Sequence, residues 1–247
     1  MLNYGSPMCG TVAVESRQMR NEFDRYSETY GKEMEKALPF CAKDHDFFTE
    51  AKARCLLRLA GQQGRKPAEL DVLDLGCGTG ITDRLLAGNF KSLTGLDVSL
   101  KVVEKARELV PGVRFEAFDG HHLPAADDTY DLAFAINVFH HVPPANRQAL
   151  LVEMHRVVKK GGCAVVFEHN PFNPLTRRVV KSCAFDADSV LLPSSELRGR
   201  LRDAGFARVS SRYILFIPFR GWLFNVLDHR LGWLPLGAQY YALGVKQ

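Results

Sequence analysis

Three glycines separated by single residues, Gly76-x-Gly78-x-Gly80, follow an apolar run that ends on an acid, Asp71-Val72-Leu73-Asp74-Leu75. Glycine has no Cβ, so such a loop turns tightly and lets a ligand lie against its backbone. Asp74 sits near the end of the run, and in an open α/β sheet that edge is where ligands bind. A carboxylate there suits a cationic group better than a pyrophosphate. The dinucleotide fingerprint G-x-G-x-x-G/A wants a small third residue, and Ile81 stands in its place. Cys77 lies inside the loop. Asp97, followed by Val98, comes about 20 residues further on, where an acid can accept hydrogen bonds from ribose hydroxyls. Asp97 and Ser99 also precede a helical run and could cap it. A third acid, Asp119, closes the next apolar run with Gly120.

Proton-transfer chemistry has its own candidates. Asn137-Val138-Phe139-His140-His141 and Glu168-His169-Asn170 each follow a strand-like run. Histidine titrates near neutrality, so His140, His141 and His169, with Glu168 beside them, are the candidate bases. His121-His122 is a poor joint metal ligand, because adjacent residues do not share a helix face. No metal site is expected.

These residues need a frame that brings strand ends together. Val72 to Leu75, Lys91 to Val98, Val113 to Phe118, Thr129 to Ile136 and Cys163 to Phe167 read as strands, with helical patterns between them. Strand and helix alternation argues for a mainly parallel sheet with right-handed crossovers. Gln148 to Val158 reads as a helix, with Lys159-Lys160-Gly161-Gly162 as its stop. Ser194-Ser195 opens another helix with serine capping. Arg208 to Ile217 and Ala238 to Val245 are the last strands. Ahead of the sheet, residues 1–16 read as a flexible tail, and 17–60 carry two helices with apolar faces, the first holding Tyr26 and Tyr30.

The series Asp-Leu-Gly-x-Gly-x-Gly, Asp97, Asp119-Gly120, Tyr130-Asp131-Leu132 and His140-His141-Val142 resembles the class I S-adenosylmethionine (SAM) dependent methyltransferases over about residues 70–165, in particular the ubiquinone/menaquinone-type small-molecule enzymes. The resemblance implies one Rossmann-like domain over 17–247, with a seven-stranded mixed sheet in the order 3-2-1-4-5-7-6 and helices on both faces. It implies SAM as cofactor, with S-adenosylhomocysteine as product. Asp74, Gly76, Cys77, Gly78, Gly80, Asp97, Val98, Asp119, Gly120, Asn137 and Val138 would hold it, with Asp119 on the adenine amine. The N-terminal helices (17–60) would close over the site, with Tyr30 as a lid.

Two insertions, 168–193 and 218–237, are expected to carry acceptor specificity, because loops at this edge carry function. Asn170 and Arg177 are the substrate-side candidates in the first. The second holds Trp222 and Trp233 among arginines, which suits an apolar or lipid-linked acceptor or a peripheral membrane contact through 218–236. The expected reaction is methyl transfer to an oxygen nucleophile on a sugar, glycolipid or secondary metabolite. A non-catalytic SAM-binding module is the alternative, and an NAD-dependent oxidoreductase is disfavoured by Ile81. The insertion Glu168-His169-Asn170-Pro171 departs from the quinone enzymes, so their substrate is not carried over.

At 247 residues with a net charge of +4, the chain has room for one large α/β domain and lacks the basic stripe of a nucleic-acid binder. Six scattered cysteines without a C-x-x-C pair read as thiols of a reducing compartment. The expectation is a cytoplasmic monomer or homodimer without a signal peptide.

Overall fold

The computed structural model describes residues 45–62, 64–183, 186, 188–216 and 230–247. The expected tail, the first lid helix with Tyr30, and 217–229 lie outside the described residues. Helix α1 (His45–Gly61) leads to β1 (Asp71–Leu75), and elements then alternate. They are α2 (Ile81–Leu86), β2 (Ser92–Asp97), α3 (Leu100–Leu109), β3 (Arg114–Ala117), β4 (Tyr130–Ile136), α4 (Arg147–Val157) and β5 (Val158–His169). After them come α5 (Pro174–Ser182), α6 (Ser194–Asp203), β6 (Arg208–Ile214) and β7 (Gln239–Val245).

The strands form a seven-stranded sheet in the order β3-β2-β1-β4-β5-β7-β6, as expected. β1 to β5 pair in parallel, whereas β7 runs antiparallel to both β5 and β6. The strand order reverses direction at β1 and β4, so a crevice opens beyond their carboxyl ends. Period-two alternation buries both faces. Val72, Leu132 and Phe134 pack with Leu56, Leu59 and Leu86 on one side. Leu73, Leu75, Ala133 and Ala135 pack with Leu151, Met154 and Leu197 on the other.

Two local expectations change. Lys159 to Gly162 does not stop a helix but begins β5. Gly161 takes φ +79°, and the β4–β5 pairing shifts register between Tyr130 and Leu132. The two glycines serve an irregularity within the ladder, held by Gly161 N–H to Lys246 O at 2.8 Å and Lys246 N–H to Gly162 O at 2.9 Å. The serines that open α6 lie inside its first turn and do not cap it. Pro193 is the N-cap, and Ser194 Oγ pairs with the Tyr213 hydroxyl at 2.8 Å.

Gly95 ties the sheet to the glycine loop. A Cβ there would lie 2.5 Å from Phe115 Cδ1 and 2.9 Å from Cys77 Cβ. Gly95→Ala is expected to lower stability by about 1–3 kcal/mol through overpacking. The check is a lower urea midpoint at unchanged slope, and an unchanged midpoint would show that Phe115 swings aside without cost. Cys55, Cys77, Cys163 and Cys183 are buried, and none of them forms a disulfide among the described residues. No helix among the described residues is long and apolar enough to cross a membrane.

Candidate functional site

The loop after β1 is pinned by β2: the N–H groups of Gly76 and Cys77 donate to Leu96 O at 2.7 and 3.0 Å. Gly76, Gly78 and Gly80 all take positive φ, at 79°, 54° and 76°. Their surroundings differ. A Cβ on Gly76 would run into Val138, and one on Gly80 would lie 3.1 Å from Phe115 and Val110. At Gly78 nothing lies within 4 Å. The Gly78 N–H donates to Asp97 Oδ2 at 3.0 Å, and the Ser99 N–H donates to Asp97 Oδ1 at 3.0 Å. Ser99 caps α3 by accepting from Val102 N–H. Asp97 therefore shapes the loop, and the capping falls to Ser99. At the end of β4, Asn137 takes φ +57° and turns the chain so that Val138 lies against Gly76. Asparagine tolerates this conformation better than most side chains.

A cavity of about 400 Å³ opens before this loop, within the size range of ligand pockets. Its wall includes Asp74, Gly76, Cys77, Gly78, Asp97, Val98, Gly120, Asn137 and Val138. Buried polar atoms with no hydrogen-bond partner cluster on it: Asp74 Oδ1, His121 Nε2, Asn137 Oδ1, Asn146 Nδ2 and Gln239 Oε1. Orphaned buried polar groups are rare in folded proteins. Here they offer acceptors and donors to a polar ligand. A loop whose middle glycine faces open space, beside an acid for a cationic group, fits SAM.

The same cavity is lined by His140, His141 and His169. His140 Nδ1 lies 2.7 Å from Glu168 Oε2, and its Nε2 lies 3.5 Å from Asp186 Oδ1. His141 Nε2 lies 3.4 Å from the same Asp186 oxygen. Glu168 Oε1 also accepts from the Phe139 N–H at 2.7 Å, so one carboxylate holds both the turn and the ring. Arg147, also buried, donates to Val142 O and Val190 O and fixes the far end of the turn.

Burial would lower every one of these imidazoles. For His140 the two carboxylates outweigh burial and carry it up to about 9. For His141, burial and the neighbouring His140 charge bring it down to about 3. For His169 the same two causes bring it to about 4. His169 Nδ1 lies 3.2 Å from Gln239 Nε2, so the neutral ring accepts from the amide. At neutral pH, His140 is an imidazolium clamped between carboxylates, and His141 and His169 are neutral.

Other expected residues fall elsewhere. Glu168 is fully buried and off the cavity wall, so it positions His140 and does not meet an acceptor. The Asn170 amide donates to Pro235 O and Gly237 O, and its oxygen accepts from Phe172 N–H. It locks the loop after β5 and is off the wall as well. Arg177 is exposed on the outer face of α5, whereas Leu175, Thr176 and Val179 of that helix line the cavity. Asp119 is exposed, and its Oδ1 accepts from the N–H groups of His121 and His122, both at 2.7 Å. It shapes the loop in which Gly120 and His121 meet the cavity. Sequence reading missed Lys52, Asn146, Asp186 and Gln239 on the wall, and the buried Asp83 behind Asp74. Burial lowers Lys52 to about 8, with Glu168 opposing it.

Residues 72–162 match the family described as Methyltransferase domain. Among curated proteins, an uncharacterised methyltransferase of Synechocystis is 35% identical over 103 residues, covering 41% of this chain and 49% of that protein. An O-methyltransferase of Penicillium expansum is 30% identical over 158 residues, covering 61% and 55%. A 27-O-demethylrifamycin SV methyltransferase of Amycolatopsis mediterranei is 32% identical over 120 residues, covering 46% and 43%. The chain thus spans about half the length, or less, of these curated relatives. Among solved structures, a magnesium protoporphyrin IX methyltransferase from Synechocystis, determined with SAM bound, superposes with a TM-score of 0.62 at 18% identity, over the whole of both chains. A SAM-dependent methyltransferase from Thermotoga maritima gives 0.60 at 23%, over 87% of this chain and all of that one. At such identities the likeness is one of fold. Sheet order, glycine loop and relatives agree: residues 72–162 match a methyltransferase domain, and the chain shares the fold of the SAM-dependent methyltransferases it superposes on.

Proposed function

We propose that this protein transfers the methyl group of SAM to an oxygen nucleophile on a small-molecule acceptor, either a sugar or glycolipid or a secondary metabolite. One observation carries the reading: a single cavity joins the glycine cradle to the histidine cluster. A binding module needs the first; a transferase needs both, in reach of each other. The names of two relatives, an O-methyltransferase and a 27-O-demethylrifamycin SV methyltransferase, support an oxygen acceptor.

The cofactor supplies a methyl group already activated on a sulfonium, so the protein's work is to bind, orient and exclude water. Asp74, Gly76, Gly78, Asp97, Val98, Gly120, Asn137 and Val138 make the cofactor side, while Gly80 packs behind the loop against Phe115 and Val110. On the acceptor side, neutral His141 would accept the hydrogen bond of a hydroxyl and take its proton as the methyl bond forms, while His169, whose Nδ1 already accepts from Gln239, would offer its Nε2–H to the acceptor oxygen. Asp186 would stabilise the imidazolium formed at His141, as an orienting carboxylate does in catalytic triads. Lys52 adds a cation to the wall for an acceptor that carries or develops negative charge.

The test is a mass-spectrometric screen of sugar, glycolipid and phenolic acceptors with SAM, reading the gain of one methyl group. Tight NADH binding without SAM binding would overturn the proposal. The depressed histidines give a pH prediction. Rings held at about 3 and 4 stay unprotonated across the assay range, so kcat at saturating SAM should be flat from about pH 8 to 5. An acidic limb near 6.5 would mean that an ordinary histidine meets the acceptor.

A further inference from the structure

Asp74 on β1 and Asp83 on α2 are both buried, at 3% and 0% exposure. Asp74 Oδ1 and both oxygens of Asp83 lack any N–H or O–H partner. The two carboxyl groups act on each other directly, and the charge of Asp83 bears on Asp74 more than that of Asp97. Two neighbouring acids buried without any donor of their own keep a proton between them, because ionising both would leave two uncompensated charges in the interior. The other groups bearing on the pair are acids too: Asp97 on β2, and the Cys77 thiol in the loop, whose own ionisation is pushed well up by burial and these carboxylates. Two like charges in a dry pocket do not both ionise. Only Asp74 reaches the cavity wall; Asp83 lies behind it.

We infer that Asp74 and Asp83 share one proton while the cradle is open and release it to solvent when the ammonium group of SAM enters, with Asp83 as the residue that positions and holds Asp74. This rests on the SAM reading above. The exchange balances: a carboxyl–carboxylate pair of charge −1 loses its proton, becomes two carboxylates, and the bound ammonium offsets the second charge. The only covalent bond broken is O–H. Burial and neighbouring charge agree with this, since burial pushes Asp83 up to about 7 and, together with Asp83 and Asp97, pushes Asp74 well above the carboxylate range. S-adenosylhomocysteine bears the same ammonium, so the product should release the proton as well.

The experiment is titration calorimetry of the full chain with SAM, and separately with S-adenosylhomocysteine, near pH 6.5 in buffers of different ionisation enthalpy. The dependence of observed heat on buffer enthalpy counts protons. The expected count is close to one per ligand, with Kd tightening by up to about tenfold per pH unit while the free protein still holds the shared proton, and levelling once it has lost it. Asp83→Asn keeps the shape, gives Asp74 an amide donor, and should bring the count near zero and flatten the pH dependence. A merely structural role would change Kd but not the count. A wild-type count near zero, with SAM bound, overturns the inference and needs no variant. SAM failing to bind at any pH overturns the cofactor reading instead, and this inference with it.

Discussion

Replacing Glu168 by alanine is expected to cost about 3–5 kcal/mol of folding stability, because it strips a buried imidazolium of its partner. The carboxylate bonds Phe139 N–H and the His140 ring, and all its contacts lie in the interior. The effect has a pH window. His140 is raised from 6.5 to about 9, so its contribution is whole below 6.5 and fades as pH rises through 9. Glu168 is held below its usual 4.5: burial raises it, but the His140 charge outweighs burial. Its contribution is whole above 4.5 and is lost as pH falls through the lowered value. The stability gap between wild type and Glu168→Ala should therefore be widest between about pH 5 and 7 and shrink above pH 9, as read by urea unfolding at several pH values. Glu168→Gln keeps an acceptor for Phe139 N–H and should fall between the two. A gap that stays constant from pH 5 to about 10 would mean that packing, not charge, is what Glu168 supplies.

The second large effect separates two glycines of one loop. Gly76→Ala would put a Cβ into Val138 at a φ of +79°. Left-handed strain of about 1–2 kcal/mol and overpacking of about 1–3 kcal/mol then act together, so the variant should melt early as well as bind SAM poorly. Gly78→Ala carries comparable backbone strain, at φ +54°, but its Cβ meets nothing within 4 Å. The space before it is the cavity. Gly78→Ala should stay within about 1–2 kcal/mol of wild type while losing SAM affinity at least about tenfold, since the methyl group stands where the ligand must lie. Thermal melts and calorimetry on both variants decide it. Full affinity in Gly78→Ala would remove this loop from the cofactor site.

The strands and the glycine loop were legible because both rest on local signals, apolar runs of strand length and a glycine spacing, whereas the sheet order came from the resemblance those motifs carry. The failures have equally local causes. Gly161 and Gly162 look the same at a helix end and at an irregular strand pair, and only the pairing with Lys246 tells them apart. Arg177 looked like a ligand because of its chemistry, yet helical geometry turns it outward while Thr176 and Val179 turn in. Asp83 reads as a first-turn acid of a short helix, a place where carboxylates are ordinary. Its burial comes from the sheet beneath and cannot be seen along the chain. Lys52 did leave a trace: it stands four residues from both Phe48 and Leu56, on the apolar stripe of its helix, where a cation is out of place.

The place of β7 has a consequence for how the protein is made. It follows every other strand in the sequence, yet lies between β5 and β6 in the sheet. Gln239 of β7 steadies His169, and Pro235 and Gly237 just before it receive the Asn170 amide. On the ribosome, the cofactor cradle at β1 and β2 emerges first. The acceptor wall is finished only when β7 slots in beside β5. Until then the β5 edge is bare, and an unpaired edge recruits other strands. Synthesis thus passes through a stage that has a place for the methyl donor but an unfinished place for its recipient.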